Sequence, residues 1–234
     1  MTDTVAYKHE DGLATITLDD GRANALSPAV IAALDAAIGR AEADDAALLL
    51  TGRPGMFCAG FDLKTMQAGG QPASDMVVDG FRLARRLLAH RRPVVVACSG
   101  HVMAMGVFLM LCADYIMAAE GEFKVAANEV AIGLTMPHSA LVLSRGRLTS
   151  AAHYRAMGTS EFYTPATGVP AGFMDELVEP ASLADRATEK LRSLADLPRD
   201  IFAATKSRLT AERLAALDEA IDADRREFDA LFTG

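Results

Sequence analysis

The sequence predicts an α/β fold, with a largely parallel sheet covered by helices and a helical extension after it. Short apolar runs typical of buried strands alternate with segments of helical periodicity in the first two thirds of the chain, and this alternation predicts βαβ units. From about residue 140 onward the pattern is mostly helical. The 234 residues, 51% apolar and 23% charged, are sufficient to bury a sizeable core.

The chain opens on a predicted antiparallel hairpin, because residues 5–8 and 14–18 flank an Asp-Gly dipeptide typical of tight turns. We expect a helix next, since Ser27 can cap it and Pro28 suits its first position. Apolar residues then recur at helical spacing, at Ile31, Leu34, Ile38 and Ala41.

Further strands and helices are predicted downstream. Residues 47–50 form a short apolar run, and 93–98, with three consecutive valines, give the clearest strand pattern in the sequence. Between these two runs, Ser74 can cap a second helix. After the second run, an apolar helix is expected from about Gly106.

The last third is predicted to contain one short strand near Leu177 and a long helix over residues 199–232. This helix has a single apolar stripe, which must pack against the core or another subunit. The stripe consists of Leu214, Leu217, Ile221, Phe228 and Leu231.

Composition and charge exclude several classes of function. The net charge is −8, from 23 Lys and Arg against 31 Asp and Glu, and without a dense basic cluster we expect no binding to nucleic acid or to an anionic membrane. Polar residues and glycines interrupt the most apolar segment, residues 94–119, so no membrane helix is predicted. Three cysteines without metal-like spacing and no apolar leader in residues 1–12 favour a cytoplasmic protein. The five histidines are scattered, and no metal site is expected.

Common nucleotide, zinc-protease and serine-hydrolase motifs are missing, and three segments remain as candidates for a site: residues 57–63, 100–107 and 128–133. The first two are strand-to-helix loops, and two such loops can direct backbone N–H groups at one developing oxyanion. The third carries Glu129 among apolar neighbours, where desolvation raises the pKa of a carboxyl group and suits it to act as a general base. A tight glycine turn and a solvated glutamate explain the same residues without function, and the residues alone leave both interpretations open.

At these segments the sequence resembles the crotonase, or enoyl-CoA hydratase/isomerase, superfamily. The motifs that carry the resemblance extend over nearly the whole chain, from Asn24-Ala25-Leu26 through Phe57-Cys58-Ala59-Gly60-Phe61-Asp62-Leu63 and residues 93–106, 128–137 and 172–176 to Ala204-Thr205-Lys206.

The resemblance implies a crotonase-like spiral of ββα units, with residues 1–195 as the core and 196–234 as a helical region for trimer formation. It also implies a homotrimer or dimer of trimers acting on an acyl-CoA thioester. Because coenzyme A is part of that substrate, no separate cofactor is expected.

The resemblance further implies that two backbone N–H groups hold the thioester oxygen, those of Phe61 and Met105. The family prefers glycine or alanine at the second position, so methionine is a departure whose side chain could reshape the pocket. Asp62 would cap the short helix after the first loop, and Cys58 would serve in packing.

Family hydratases are similar to one another in using two glutamates, and here the first position falls on Phe108 while the second is Glu129. One base suffices to move a double bond between positions 3 and 2, so the resemblance favours an isomerase. The alternatives are a 2-enoyl-CoA hydratase of fatty acid β-oxidation and a catalytically idle acyl-CoA carrier or sensor. His138 is a further candidate to line the acyl pocket.

For coenzyme A the resemblance points to five positions. Arg22 and Lys64 would meet its phosphates, and Ala23 and Ala25 would contact the adenine and pantetheine through their main chain. Ala59 is assigned to the same binding surface.

Overall fold

The computed structural model describes residues 4–233. Its strands are β1 (Val5–Glu10), β2 (Leu13–Leu18), β3 (Ala47–Gly52), β4 (Gly55–Cys58), β5 (Val94–Cys98), β6 (Gly100–Met103), β7 (Tyr115–Ala119), β8 (Val125–Ala126) and β9 (Glu176–Val178). Its α-helices are α1 (Pro28–Ala43), α2 (Leu63–Ala68), α3 (Gly70–Leu88), α4 (Met105–Met110), α5 (His138–Arg145), α6 (Ser150–Thr159), α7 (Pro165–Ala171), α8 (Leu183–Ala195) and α9 (Arg199–Thr233). Within these residues, none of the helices combines the length and hydrophobicity that crossing a bilayer requires.

From β3 to β8, successive strands of the chain alternate between two sheets. The larger has the order β1-β2-β3-β5-β7-β9 and is antiparallel only between β1 and β2, whereas the smaller is the parallel sheet β4-β6-β8. Because β3 leads into β4, β5 into β6 and β7 into β8, each repeat adds one strand to each sheet. This arrangement confirms the α/β class and the spiral of ββα units.

The central strands β3, β5 and β7 of the larger sheet are buried on both faces, which explains why they are nearly continuous apolar runs. On one face Leu48 and Val96 belong to the main core, together with apolar residues of α1 and α3. On the other face Leu49 and Val95 pack in a second cluster with α8. Strand β5 is buried at every position, and its run of valines therefore gives the clearest strand pattern in the sequence.

Several predicted elements are confirmed. The hairpin forms around the Asp-Gly turn, the side chain of Ser27 accepts a hydrogen bond from the Val30 N–H, and Pro28 is the first residue of α1. The predicted cap at Ser74 is wrong, because α3 begins at Gly70 and Ser74 lies inside it. There the Ser74 hydroxyl donates to Asp229 of α9, so it serves helix packing.

Helix α9 folds back onto the body of its own chain, mainly against α3 and α5. Leu217 and Ile221 of its predicted stripe are buried in the main core. Near its start, Lys206 forms an ion pair with Asp114, with 2.6 Å between Nζ and Oδ2. A role of residues 196–234 in trimer formation stays a prediction.

Candidate active site

Three loops leave the carboxyl ends of the three strands in the smaller sheet. The segment Ala59–Gly60–Phe61 follows β4, Ala104 and Met105 follow β6, and Glu129 lies three residues beyond β8. Since the strands are parallel neighbours, their ends meet at one edge, which is where α/β sheets bind ligands. The sheet thereby joins the three segments that sequence analysis had selected.

The first loop leaves the Phe61 amide without a partner. The Leu26 N–H donates to the Gly60 carbonyl at 2.8 Å, and the Asp62 N–H donates to the Leu26 carbonyl at 3.1 Å. In this parallel bridge the backbone N–H and C=O groups of Phe61 itself point away from Leu26. The Phe61 N–H has no acceptor among residues 4–233.

Asp62 fixes the end of this loop, as predicted, by capping α2. Its carboxylate accepts hydrogen bonds from the Thr65 hydroxyl and the Thr65 N–H, both at 2.8 Å, and these bonds lower the pKa of Asp62. The cap holds the residue next to Phe61 in place.

The second loop turns sharply at Ala104, whose φ is +46°. The Ala104 N–H donates to the Ala126 carbonyl of β8 at 2.8 Å, and Met105 is the first residue of α4. At this position a helix N–H has no intrahelical acceptor, and the Met105 amide finds none elsewhere in the described chain.

Gly60 brings the two turns into contact. A Cβ on Gly60 would lie 2.7 Å from the Ala104 Cβ and 3.2 Å from the Met105 nitrogen. Gly60 also has a φ of +91°, a conformation that L side chains rarely adopt. The unpaired amides of Phe61 and Met105 therefore belong to adjoining turns.

The side chain of Met105 packs into the core. It is fully buried, and its Cε lies 3.7 Å from the position that a Cβ on Gly80 of α3 would occupy. The ring of Phe61 approaches the same position to 2.5 Å, so the missing side chain of Gly80 makes room for Phe61. The departure from glycine or alanine at residue 105 thus adds apolar packing beneath the turn.

Glu129 is a buried carboxyl group without a charged partner. The residue is only 9% exposed, and its Oε2 is buried with no hydrogen-bond partner in the described chain. Burial raises the pKa of Glu129 to about 7, opposed by a hydrogen bond from its own backbone amide. A carboxyl group with this pKa can accept or release a proton near neutral pH.

Phe108 belongs to the core. It is 1% exposed on α4, and its ring centroid lies 6.0 Å from that of Phe81. The ring of Phe61 packs edge-on against Phe81, with 6.4 Å between the ring centroids. A phenylalanine packed in an aromatic cluster therefore stands where a second acid would be placed by the family pattern.

The segment assigned to coenzyme A lies along the first loop. The Ala59 N–H donates to the Ala23 carbonyl at 3.0 Å, and the Ala25 N–H donates to Asp20 at 3.3 Å. Arg22 and Lys64 have exposed side chains. Contact with coenzyme A remains a prediction for all five positions.

Asn24 holds this segment, a role that sequence analysis did not assign to it. Its side chain is fully buried and donates to the carbonyls of Leu18 at 2.7 Å and Phe57 at 3.0 Å. Its φ of +53° suits asparagine better than most residues. The signal in the sequence that could have revealed this role is an asparagine directly after an Asp-rich turn.

Cys58 and His138 are the two remaining candidates, and both contact other parts of the fold. Cys58 is buried, and burial raises the pKa of its thiol to about 12, which agrees with a packing role. His138 is half exposed, and its Nε2 lies 2.9 Å from Glu227 of α9. Among residues 4–233, no three His, Cys, Asp or Glu side chains are grouped as a metal ion would require.

Comparison with known proteins agrees with this fold. A family described as "Enoyl-CoA hydratase/isomerase" matches residues 8–234. The structure of an enoyl-CoA isomerase from Mycobacterium tuberculosis is 44% identical, with a TM-score of 0.92 over 97% of this chain and 100% of the other. A second structure of the same M. tuberculosis protein, described there as a probable enoyl-CoA hydratase, is 45% identical, with a TM-score of 0.93 over 97% of this chain and 96% of the other. The 1,2-epoxyphenylacetyl-CoA isomerase of Escherichia coli is 29% identical over 96% of this chain and 88% of its own.

A spiral of ββα units that carries two free amides and a buried carboxyl group in loops at one sheet edge defines a class of α/β enzymes. The chain belongs to the enoyl-CoA hydratase/isomerase family. The M. tuberculosis relative is called an isomerase in one of its two structures and a probable hydratase in the other.

Proposed function

We propose that the protein is an enoyl-CoA isomerase in which Glu129 is the single acid–base residue. The observation that carries the proposal is the isolation of this carboxyl group, which is buried and has no charged partner among residues 4–233. The aromatic side chain of Phe108 at the position of a second acid supports the same conclusion.

The proposed reaction begins with the thioester oxygen accepting hydrogen bonds from the Phe61 and Met105 amides. These donors stabilise the negative charge that develops when Glu129 removes a proton from C2 of a 3-enoyl-CoA. The electron pair of the broken C–H bond forms the C2–C3 double bond, while the former C3–C4 double bond takes the proton back from Glu129 at C4. The product is a 2-enoyl-CoA, and no further reactant is consumed.

Coenzyme A is the part of the substrate that does not react, and the protein binds it away from the reacting atoms. We assign its main-chain contacts to Ala23, Ala25 and Ala59, and its phosphates to Arg22 and Lys64. The hydrogen bond between Ala59 and Ala23 supports this assignment, because it keeps the binding segment beside the Phe61 turn. The chemistry requires no metal and no separate cofactor.

We also propose a homotrimer or a dimer of trimers. Large apolar side chains are exposed on the Glu129 loop and on α9, among them Ile132, Leu209 and Leu231. Such side chains are typical of surfaces that another subunit covers.

The test is the rate of 3-enoyl-CoA isomerisation by Glu129→Gln. Loss of a general base should lower kcat by about 10²–10⁴, whereas acyl-CoA affinity should change little. Glu120→Gln is a matched control, because Glu120 is an exposed glutamate outside the three loops. Activity of Glu129→Gln within about threefold of the parent would contradict the assignment.

Product analysis distinguishes the two alternative functions, a hydratase and a non-catalytic carrier or sensor. A 3-hydroxyacyl-CoA that carries oxygen from labelled water would assign hydration instead. Tight acyl-CoA binding without conversion of either 2-enoyl or 3-enoyl thioesters would identify a carrier or sensor.

A further inference from the structure

A cavity of about 320 Å³ lies at the amino ends of the neighbouring strands β3 and β5. The end of α1 and the loop between α3 and β5 surround it. Its lining consists of Glu42, Asp45, Ala89, His90, Arg91 and Arg92.

Arg92 is a buried cation that lacks a partner. The residue is only 5% exposed, its Nε is buried without an acceptor, and no described residue forms an ion pair with it. Burial lowers the pKa of Arg92, with a further contribution from the nearby Arg199, while Asp45 opposes the change. An unpaired guanidinium in such surroundings is unfavourable until an anion neutralises it.

The carboxylates beside the cavity are already engaged. Asp45 pairs with Arg199, with 3.0 Å between Oδ2 and Nη1, and Glu42 binds Arg86 with 2.9 Å between Oε1 and Nε. Arg86 also binds Asp35 at 2.7 Å. Because Arg86 is shared by two carboxylates, the groups named here together with Arg91 and Arg92 leave one positive charge in excess around the cavity.

His90 completes the wall without adding a positive charge. Its Nε2 lies 3.0 Å from the Ala46 carbonyl, and burial lowers the pKa of His90, so the ring is neutral at pH 7. Because a carbonyl can only accept, Nε2 carries the proton. Among the lining residues, His90 therefore leaves the charge around the Arg92 guanidinium unchanged.

We propose that this cavity binds a small oxyanion of the phosphate or carboxylate class, held by the Arg92 guanidinium. The planar fork of a guanidinium matches two oxygens of either group, and Arg91 strengthens the attraction as a second cation in the lining. The volume suits a small molecule better than an inserted protein segment.

The cavity is separate from the candidate active site. Arg92 precedes β5, whereas Met105 follows β6, so two successive strands lie between them. Arg22 and Lys64, assigned to coenzyme A, are not part of its lining. The proposal therefore stands independently of the isomerase activity.

The test is isothermal titration calorimetry of the full-length protein with sodium phosphate and, separately, with citrate, at constant ionic strength set by sodium chloride. We expect saturable binding of at least one of these anions to one site per chain. Arg92→Met should weaken that binding by about tenfold or more, because it removes the guanidinium fork. Arg82→Met, which replaces an exposed arginine of α3, and Lys64→Met should leave it unchanged.

A lack of saturable binding, or equal affinity in Arg92→Met and the parent, would overturn the proposal. Loss of anion binding in Lys64→Met would also overturn the proposal, because the anion would then occupy the surface assigned to coenzyme A. If circular dichroism shows that Arg92→Met is unfolded, Arg92→Lys and Arg91→Met replace it, and unchanged affinity in both has the same meaning. A smaller mass of Arg92→Met in analytical ultracentrifugation would assign Arg92 to a carboxylate of a second copy and would also overturn the proposal.

Discussion

Gly60 and Ala104 lie so close together that a Cβ on Gly60 would stand 2.7 Å from the Ala104 Cβ. Real side chains do not approach to this distance, so the two turns fit only because residue 60 is glycine. Their contact also sets the separation of the Phe61 and Met105 amides.

The first prediction concerns this contact. Gly60→Ala should force the turns apart and lower kcat/KM by about 10²–10³, the effect of losing one oxyanion donor. Adding Ala104→Gly removes the facing methyl group and should restore part of the activity, which steady-state kinetics can measure. Gly158→Ala is the control, because a Cβ there meets nothing within 4 Å. An active Gly60→Ala enzyme would mean that the amides do not act as a pair.

The second prediction is the pH dependence of the reaction. Glu129 must be ionised to accept a proton, and burial raises its pKa to about 7. The value of kcat/KM in the free enzyme should therefore fall about tenfold per pH unit below pH 7 and level off above it. A profile that stays flat down to pH 5.5 would exclude Glu129 as the base.

The third prediction concerns stability. The pKa of Glu129 rises from 4.5 to about 7 on folding, so the folded chain binds the proton more tightly than the unfolded chain. Stability should consequently decrease as the pH increases from 4.5 to 7, by about 3 kcal/mol at most.

Glu129→Gln cannot ionise and should escape this loss. Its free energy of unfolding in urea should exceed that of the parent at pH 8 and approach it at pH 5. A constant difference at both pH values would show that Glu129 does not titrate as described.

The fourth prediction compares two ion pairs with the same N–O distance of 2.6 Å. Lys206–Asp114 has a lysine side chain that is 7% exposed, whereas Lys8–Glu10 is a surface pair. Lys206→Met should destabilise the protein by about 2–4 kcal/mol, because Asp114 keeps a partly buried charge. Lys8→Met should have no measurable effect in the same urea titration, since solvent screens exposed pairs. Equal effects would show that burial does not control the strength of these pairs.

Local signals predicted much of the fold. The hairpin, α1, β5 and α9 follow from a turn dipeptide, a cap, an apolar run and a long periodic stripe. The smaller sheet could not be found in this way, because β6 has four residues and β8 only two, too few to show a period. The error at Ser74 has a similar origin, since its hydroxyl binds Asp229, more than 150 residues away in sequence.

The candidate site was less accessible to sequence reasoning. Phe61 and Met105 were selected through the family resemblance, since hydrophobic side chains carry no sign that their amides are unpaired. The proximity of their turns depends on Gly60, whose role is visible only when Ala104 is beside it. Glu129 was identified from its apolar neighbours, but its burial depends on the packing of several distant segments.

Helix α9 has one more consequence for experiments on shortened chains. Asp224 accepts hydrogen bonds from the backbone amides of His138 and Ser139, at 2.8 and 2.9 Å, and so caps α5 from a distant part of the sequence. The peptide that carries Glu129 leads directly into α5. A premature stop or protease cut before Asp224 would release that anchor. Inactivity of such a fragment would then reflect a loosened catalytic loop, even in a fragment that still associates with its neighbours.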